Sequence, residues 1–220
     1  MPFNKLIQGY KAFHKEHFGP GKKLFHTLVR DGQNPEVLMI GCSDSRADPA
    51  IITHAAPGDI FVVRNVSAIV PAYTRDLGHH GTCSAIEFAV RGLKVKQIVV
   101  MGHSMCGGVR ALAERDLVAE HFEFLPQWVD IARSALVTTK KATEKLPDEE
   151  RARELEKAVV LVSYRNLHTF PWIEERLMSG ELTIHAWYFD MAKGKLLEYN
   201  PLTTRFEDLD DGKGIKKRDK

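Results

Sequence analysis

Three residues that bind soft metals sit just past two apolar runs. Cys42 follows Val37-Leu38-Met39-Ile40, in Gly41-Cys42-Ser43-Asp44-Ser45-Arg46. His103 and Cys106 follow Ile98-Val99-Val100-Met101, in Gly102-His103-Ser104-Met105-Cys106-Gly107-Gly108. Two thiolates and one imidazole suit Zn2+, and the two-residue gap lets one short loop give two ligands to one ion. Structural zinc sites close all four tetrahedral positions, whereas catalytic sites keep a water in the fourth. No other cysteine or histidine lies at ligand spacing near these loops. The count of three therefore favours catalysis, although distant residues could complete the site. Thiolates donate more charge than imidazole, so a water held here is expected to be less acidic than one on three histidines. Asp44, two residues from Cys42, is the candidate to orient that water. Arg46 could hold Asp44 in a bidentate pair and keep it off the metal.

These residues need a scaffold that brings two distant loops together. Val37–Ile40, Ile60–Val63 and Ile98–Met101 read as short buried strands, the first and third each ending in glycine. Between and after them, residues 82–93 fit a helix stopping near Gly92, and a second helix is expected from Gly107 to Asp116. The alternation predicts an α/β fold: a mostly parallel central sheet flanked by helices. In such a sheet the strand C-termini line one edge, where ligands bind, so Cys42 and His103 can meet. Residues 5–30 form a helical arm broken at Gly19-Pro20-Gly21, and residues 126–180 form a C-terminal helical region. The charged run Asp148–Glu154 reads as a solvated helix face. Residues 182–190 and 195–199 read as two late strands joined at Lys193-Gly194, and residues 210–220 as a disordered tail.

The 220 residues are read as one domain, 1–220, long enough to bury roughly 70% of the surface of the unfolded chain. Hydrophobic residues make up 44% and charged residues 27%, which excludes wholesale disorder. The net charge is +2, with a basic cluster at the C-terminal tail alone, so no nucleic-acid partner is expected. There is no run of about 18 apolar residues, so no membrane span is expected. The N-terminus, Met1 to Tyr10, has no apolar signal core, and the three cysteines are too few for a disulfide framework. The expected location is cytoplasmic.

The motifs Cys42-Ser43-Asp44-Ser45-Arg46, Pro57-Gly58, Val63-Arg64-Asn65, Gly81-Thr82, Glu87 and Gly102-His103-Ser104-Met105-Cys106-Gly107-Gly108 resemble the β-class carbonic anhydrases. The match runs in order from Gln33 to Gly108 and more weakly to Asp190. The resemblance implies reversible hydration of carbon dioxide to bicarbonate and a proton, by attack of zinc-bound hydroxide. It implies one Zn2+ per chain on Cys42, His103 and Cys106, and a catalytic dyad of Asp44 and Arg46. Gln33 and Gly107 are the expected substrate-binding residues. It also implies a homodimer, with the active site at its interface, that can pair into a tetramer.

Some members of that family shut the site by putting the aspartate on zinc. They carry a bicarbonate pocket of tryptophan, arginine and tyrosine, and the matching positions here are Met39, Arg64 and Phe189. Two of the three groups are missing, so an open site with Asp44 off the metal is expected. Two cleft positions also depart from the open-site pattern, with His79 for a tyrosine and Ala55 for a phenylalanine. His79, beside His80, is a candidate proton shuttle, although a surface or interface histidine is the plainer reading. Cys83 reads as a small core residue and His185 as a satisfied core or interface histidine.

Other chemistries remain on the same residues. A cysteine phosphatase loop needs five residues between Cys and Arg, and Cys42 and Arg46 have three. A hydrolase of carbonyl sulfide or carbon disulfide would use the same zinc scaffold, since both substrates are linear like carbon dioxide. A zinc-stabilised binding module is the non-enzymatic alternative.

Overall fold

The computed structural model describes residues 3–76 and 78–209, apart from the side chains of residues 116 and 117. The expected tail, 210–220, lies outside the described residues. Two helices open the chain: α1 (Phe3–Phe18) and α2 (Leu24–Asp31). The core elements follow: β1 (Val37–Cys42), α3 (Pro49–Thr53), β2 (Ile60–Asn65), α4 (Gly81–Glu87) and β3 (Gln97–His103). Helices α5 (Gly107–Ala113), α6 (Arg115–Ala119), α7 (Leu125–Asp130), α8 (Arg133–Ala142), α9 (Asp148–Leu167) and α10 (Pro171–Met178) lead to β4 (Thr183–Asp190), β5 (Lys195–Asn200) and β6 (Arg205–Asp208).

The six strands form one sheet in the order β2-β1-β3-β4-β5-β6. The first four are parallel, and β5 and β6 turn back antiparallel. The fold is thus an α/β sheet, mostly parallel and flanked by helices. Leu38, Ile40, Ile98 and Val100 join one core cluster with Val160 of α9 and Ile173 of α10, whereas Met39, Val99 and Met101 pack with Ile52, Trp187 and Leu196. The strands alternate between two covered faces, which is why they read as unbroken apolar runs. At Gly102 an added Cβ would come 2.2 Å from Val160 Cγ2, so this glycine lets α9 lie directly on β3.

Several boundaries differ from the sequence reading. β1, β2 and β3 each run two residues past their apolar stretches, because polar end residues keep pairing in the ladder. The helix expected over 82–93 ends at Glu87, and Phe88–Gly92 continue as a π turn. The helix expected from Gly107 to Asp116 stops at Ala113, and α6 begins at Arg115. The region 126–180 is four helices, α7 to α10, two of them opened by Pro126 and Pro171 in the first turn. β6 was not foreseen; its four residues leave little periodicity to read.

Candidate metal centre

Cys42 is the last residue of β1 and His103 the last of β3, and these parallel neighbours pair Gly41 with Met101. Both side chains therefore reach the same edge. The chain after His103 is pinned by Ser104, whose N–H donates to Phe189 O (2.9 Å) and whose Oγ accepts from Met191 N–H (2.8 Å). It then folds back through Met105, which has a left-handed φ of 58°, and so delivers Cys106 to the other two ligands.

Cys42, His103 and Cys106 are all buried, and their ligand atoms lie within 4.8 Å of one another. The two sulfurs are 4.0 Å apart. A tetrahedral Zn2+ with bonds of about 2.3 Å would separate them by roughly 3.8 Å. His103 Nδ1 lies 2.8 Å from Ser104 O. A carbonyl can only accept, so Nδ1 carries the proton and Nε2 presents its lone pair. That Nε2 is buried with no hydrogen-bond partner. An orphaned imidazole nitrogen facing two thiols fits a bound metal ion.

The thiols are tuned from outside the ligand set. Ser67 N–H and Asp44 N–H each donate to Cys42 Sγ at 3.4 Å, and Ser67 Oγ lies 3.5 Å from Cys106 Sγ. Hydrogen bonding to Cys42 draws the Cys106 thiol down, while hydrogen bonding to Cys106, burial and like charge push Cys42 up. The pair gives up one proton readily and resists losing a second, so a cation is needed for both to ionise. His103 is pulled down by burial but ends raised overall, through the nearby Cys106 sulfur, the Ser104 carbonyl and the Asp44 carboxylate.

Ser67 reaches both sulfurs because the turn Val66–Ala68 is strained, with φ of 68° at Ser67 and 53° at Ala68. Asn65 holds that turn through both amide atoms, accepting from Ile69 N–H (2.8 Å) and donating to Ile69 O (2.9 Å). Trp128 Nε1 donates to Val66 O (2.8 Å). Gly108 allows the close approach of α5, since a Cβ there would sit 2.2 Å from Ser67 Oγ and 2.4 Å from Val66 Cγ1.

Asp44 and Arg46 form a bidentate pair, Nε to Oδ1 at 2.9 Å and Nη2 to Oδ2 at 2.7 Å, with Arg46 N–H also donating to Oδ1 (3.0 Å). The Arg46 guanidinium holds the Asp44 carboxyl well below the usual carboxylate range, against the opposing effect of burial. Asp44 Oδ2 lies 4.0 Å from His103 Nε2. The loop carrying the pair is stapled by Arg64 of β2, which donates to Cys42 O (2.8 Å), Asp44 O (2.7 Å) and Asp48 Oδ2 (2.5 Å). Asp48 also caps α3, its Oδ1 accepting from Ala50 N–H at 3.0 Å ahead of Pro49.

The structure brings together Cys42, Asp44, Arg46, His103 and Cys106, with Gly107 opening α5 beside them. It does not bring Gln33 to them. Gln33 is exposed in the loop entering β1, at the end of the strand opposite Cys42. His80 pairs with Asp76 (2.6 Å) and His79 is exposed. His185 pairs with Glu198 (2.6 Å), and Cys83 is half-buried against the core. Ser67 and Glu156 were not foreseen as site residues. Glu156, on α9, lies in the stripe Leu155, Val159, Val160, Ser163 and Leu167, and an acid on a buried helical face was the available signal.

The chain matches the sequence profile of the family described as "Carbonic anhydrase" over residues 37–196. It is 34% identical to a carbonic anhydrase of Synechocystis sp. over 89% of this chain and 70% of that one. It is 35% identical to the chloroplastic beta carbonic anhydrase 5 of Arabidopsis thaliana over 86% of this chain, and spans 62% of that longer protein. Among solved structures, the β-carbonic anhydrase CcaA superposes with a TM-score of 0.88 at 32% identity, covering 94% of this chain and 100% of that one. One of two β-carbonic anhydrases of Sordaria macrospora, both described as tetrameric, gives 0.78 at 29% identity over 89% and 95% of the two chains.

Proposed function

The chain belongs to the β-class carbonic anhydrases, and from that membership we propose that it hydrates carbon dioxide reversibly to bicarbonate and a proton, with one Zn2+ held by Cys42, His103 and Cys106. The observation that carries the proposal is the buried, partnerless His103 Nε2, facing two thiols 4.0 Å apart, with the Asp44 carboxylate 4.0 Å away. A bound zinc would act as a Lewis acid, lowering the pKa of a water so that a nucleophile is available near neutral pH.

The chain's own residues do the rest. Asp44 accepts the hydrogen bond of the attacking water and orients it. Arg46 takes both carboxylate oxygens, so Asp44 stays ionised and is held beside the ligands without joining them. Gly107 opens α5 without a side chain, and a Cβ there would meet nothing within 4 Å, which leaves room for substrate beside the candidate ligands. Support for an open site comes from three positions. Arg64 is committed to its staple, Met39 is buried in an apolar cluster, and Phe189 has no hydroxyl.

Gln33 can reach substrate only as a residue of a second copy, because its own chain places it at the far end of β1. The homodimer is part of the proposal for that reason, and the tetrameric description of the Sordaria relatives makes a dimer of dimers the next level. We also place the protein, as one domain, in the reducing cytoplasm, where two sulfurs 4.0 Å apart stay free to bind metal. Among the described residues no helix is long and apolar enough to cross a membrane.

The test is stopped-flow carbon dioxide hydration on metal-quantified protein at about pH 7 and about pH 8.5, alongside Asp44→Asn. Turnover at both values, reduced roughly 10²- to 10⁴-fold in the variant with zinc retained, is the expected result. Turnover at the higher value alone would place Asp44 on the metal. No turnover with one zinc per chain would redirect the assignment to a carbonyl sulfide or carbon disulfide hydrolase, or to a binding module.

A further inference from the structure

A carboxylate lies buried directly behind the ligands. Glu156 of α9 is 4% exposed. Its Oε1 accepts the backbone N–H of Cys106 at 3.2 Å, and its Oε2 accepts the hydroxyl of Tyr188 at 2.6 Å, with Arg153 Nη1 3.1 Å away. Burying a carboxylate carries a desolvation penalty that a well-packed apolar side chain would not. A helix that already contributes Leu155, Val159 and Val162 to the core has no packing need for an acid there.

The contact with Cys106 gains meaning from the other end of the same peptide bond. The N–H of Cys106 and the C=O of Met105 belong to one peptide unit, and in a trans peptide they point to opposite sides. Glu156 takes the N–H from inside the core. Arg46 donates Nη2 to the Met105 carbonyl at 3.3 Å from the cleft side. The peptide is therefore held between an anion on its positive end and a cation on its negative end. The same Arg46 Nη2 donates to Asp44 Oδ2 at 2.7 Å. A continuous line of hydrogen bonds runs from Glu156 through the Met105–Cys106 peptide and Arg46 to Asp44, and Tyr188 lies off that line, on the other carboxylate oxygen. No hydrogen bond joins Glu156 to Arg46 directly. Met105 sits at a left-handed φ of 58°, a conformation that a non-glycine residue holds only where its surroundings enforce it.

We propose that Glu156 is a positioning residue for the Asp44–Arg46 pair and for Cys106, acting on both through the Met105–Cys106 peptide. This rests on the proposed carbonic anhydrase reading for the role of the pair, but not for the clamp itself. Charges of opposite sign on the two ends of one peptide dipole reinforce one another, so removing one should weaken the hold of the other.

Glu156→Gln tests this while keeping the shape. The Tyr188 hydroxyl can turn to accept from the new amide, leaving the amide oxygen on Cys106 N–H while the charge, and with it the Arg153 pairing, is removed. Zinc affinity, measured by chelator competition, is expected to fall roughly 10-fold or more. In the metal-free protein, the destabilisations from Glu156→Gln and Arg46→Gln are expected to be non-additive in a denaturant double-mutant cycle, although the two residues do not touch. Tyr188→Phe, which loses its bond to the same carboxylate away from Cys106, is expected to lower the melting temperature and leave zinc affinity unchanged. Unchanged zinc affinity in Glu156→Gln, strict additivity with Arg46→Gln, or an equal loss of zinc affinity in Tyr188→Phe would each overturn the proposal. These readouts need no turnover. A wild-type protein that binds zinc but does not hydrate carbon dioxide would count against the activity and not against the clamp.

Discussion

Around Cys42, His103 and Cys106 the chain supplies its own partners: Ser67 and Asp44 for the sulfurs, Ser104 for the imidazole, and Arg64, Asn65 and Trp128 for the loops. Along α1 the opposite holds. Its 16 residues include no buried side chain, and Phe3, Leu6 and Tyr10 are 73%, 58% and 63% exposed. The arm touches α2 through a small aromatic cluster in which Phe13 and Phe18 pack on Phe25. The first region is complete within one chain, whereas the second shows apolar surface that a single copy leaves in water. Ligand geometry is thus a property of the protomer. The arm, and Gln33 beyond it, are the parts that the proposed dimer would have to complete.

The sharpest break in that contrast comes from removing a ligand. His103→Ala should abolish hydration and take zinc from about one per chain towards none, while size-exclusion still shows an assembled oligomer. Loss of assembly together with metal would mean that the two regions are not independent. The reverse experiment deletes residues 3–18. Sedimentation should then show the oligomer dissociating, with zinc still bound and hydration sharply reduced, because a partner's Gln33 no longer reaches the site. An unchanged oligomer would locate the interface elsewhere.

A smaller effect probes how tightly the complete region is packed. Gly108→Ala drives a methyl group into Ser67 Oγ and Val66 Cγ1. The turn is already strained at Ser67 and Ala68 and has little room to move. A loss of about 1–3 kcal/mol is expected, read as a drop in melting temperature of roughly 2–4 °C per kcal/mol. The equivalent change at Gly9, inside α1 and with nothing within 4 Å of the added Cβ, should not lower the melting temperature and could raise it slightly through helix propensity. Equal effects at both sites would contradict the packing argument.

The contrast also explains what could be read from residues alone. The candidate ligands were legible because each sits at or just past the end of an apolar run, and a parallel sheet brings such ends to one edge. The α/β sheet was legible for the same reason, since apolar periodicity reports burial, whereas the arm was read as helical from apolar spacing alone and buries no side chain of α1 in this chain. The supports were less so. Ser67 and Asn65 act through a turn whose positive φ values no local pattern announces, and Arg64 drew notice for a pocket rather than for the loop staple it makes. Glu156 carried a signal, an acid on an apolar helical stripe, but it sat just past a charged run read as solvated. Gln33 was named from resemblance, and spacing along the chain could not show that β1 separates it from Cys42.

The smallest expected effect concerns pH. Arg46 depresses the Asp44 carboxyl in the folded state, whereas an unfolded chain restores it to about 3.9. The stabilisation this provides is fully present above the unfolded value and is lost as pH falls through the lower folded value. From about pH 5 to about pH 9 the dyad is ionised in both states and adds no slope to stability. Melting curves of the wild type and Asp44→Asn should therefore run parallel across that range and converge below about pH 4. A gap that narrows between about pH 5 and about pH 7 would show a carboxyl less firmly held than the bidentate geometry implies. The same reasoning keeps Asp44 out of the pH dependence of turnover. A hydration rate that climbs with pH must take its slope from the nucleophile rather than from a carboxylate that stays ionised throughout.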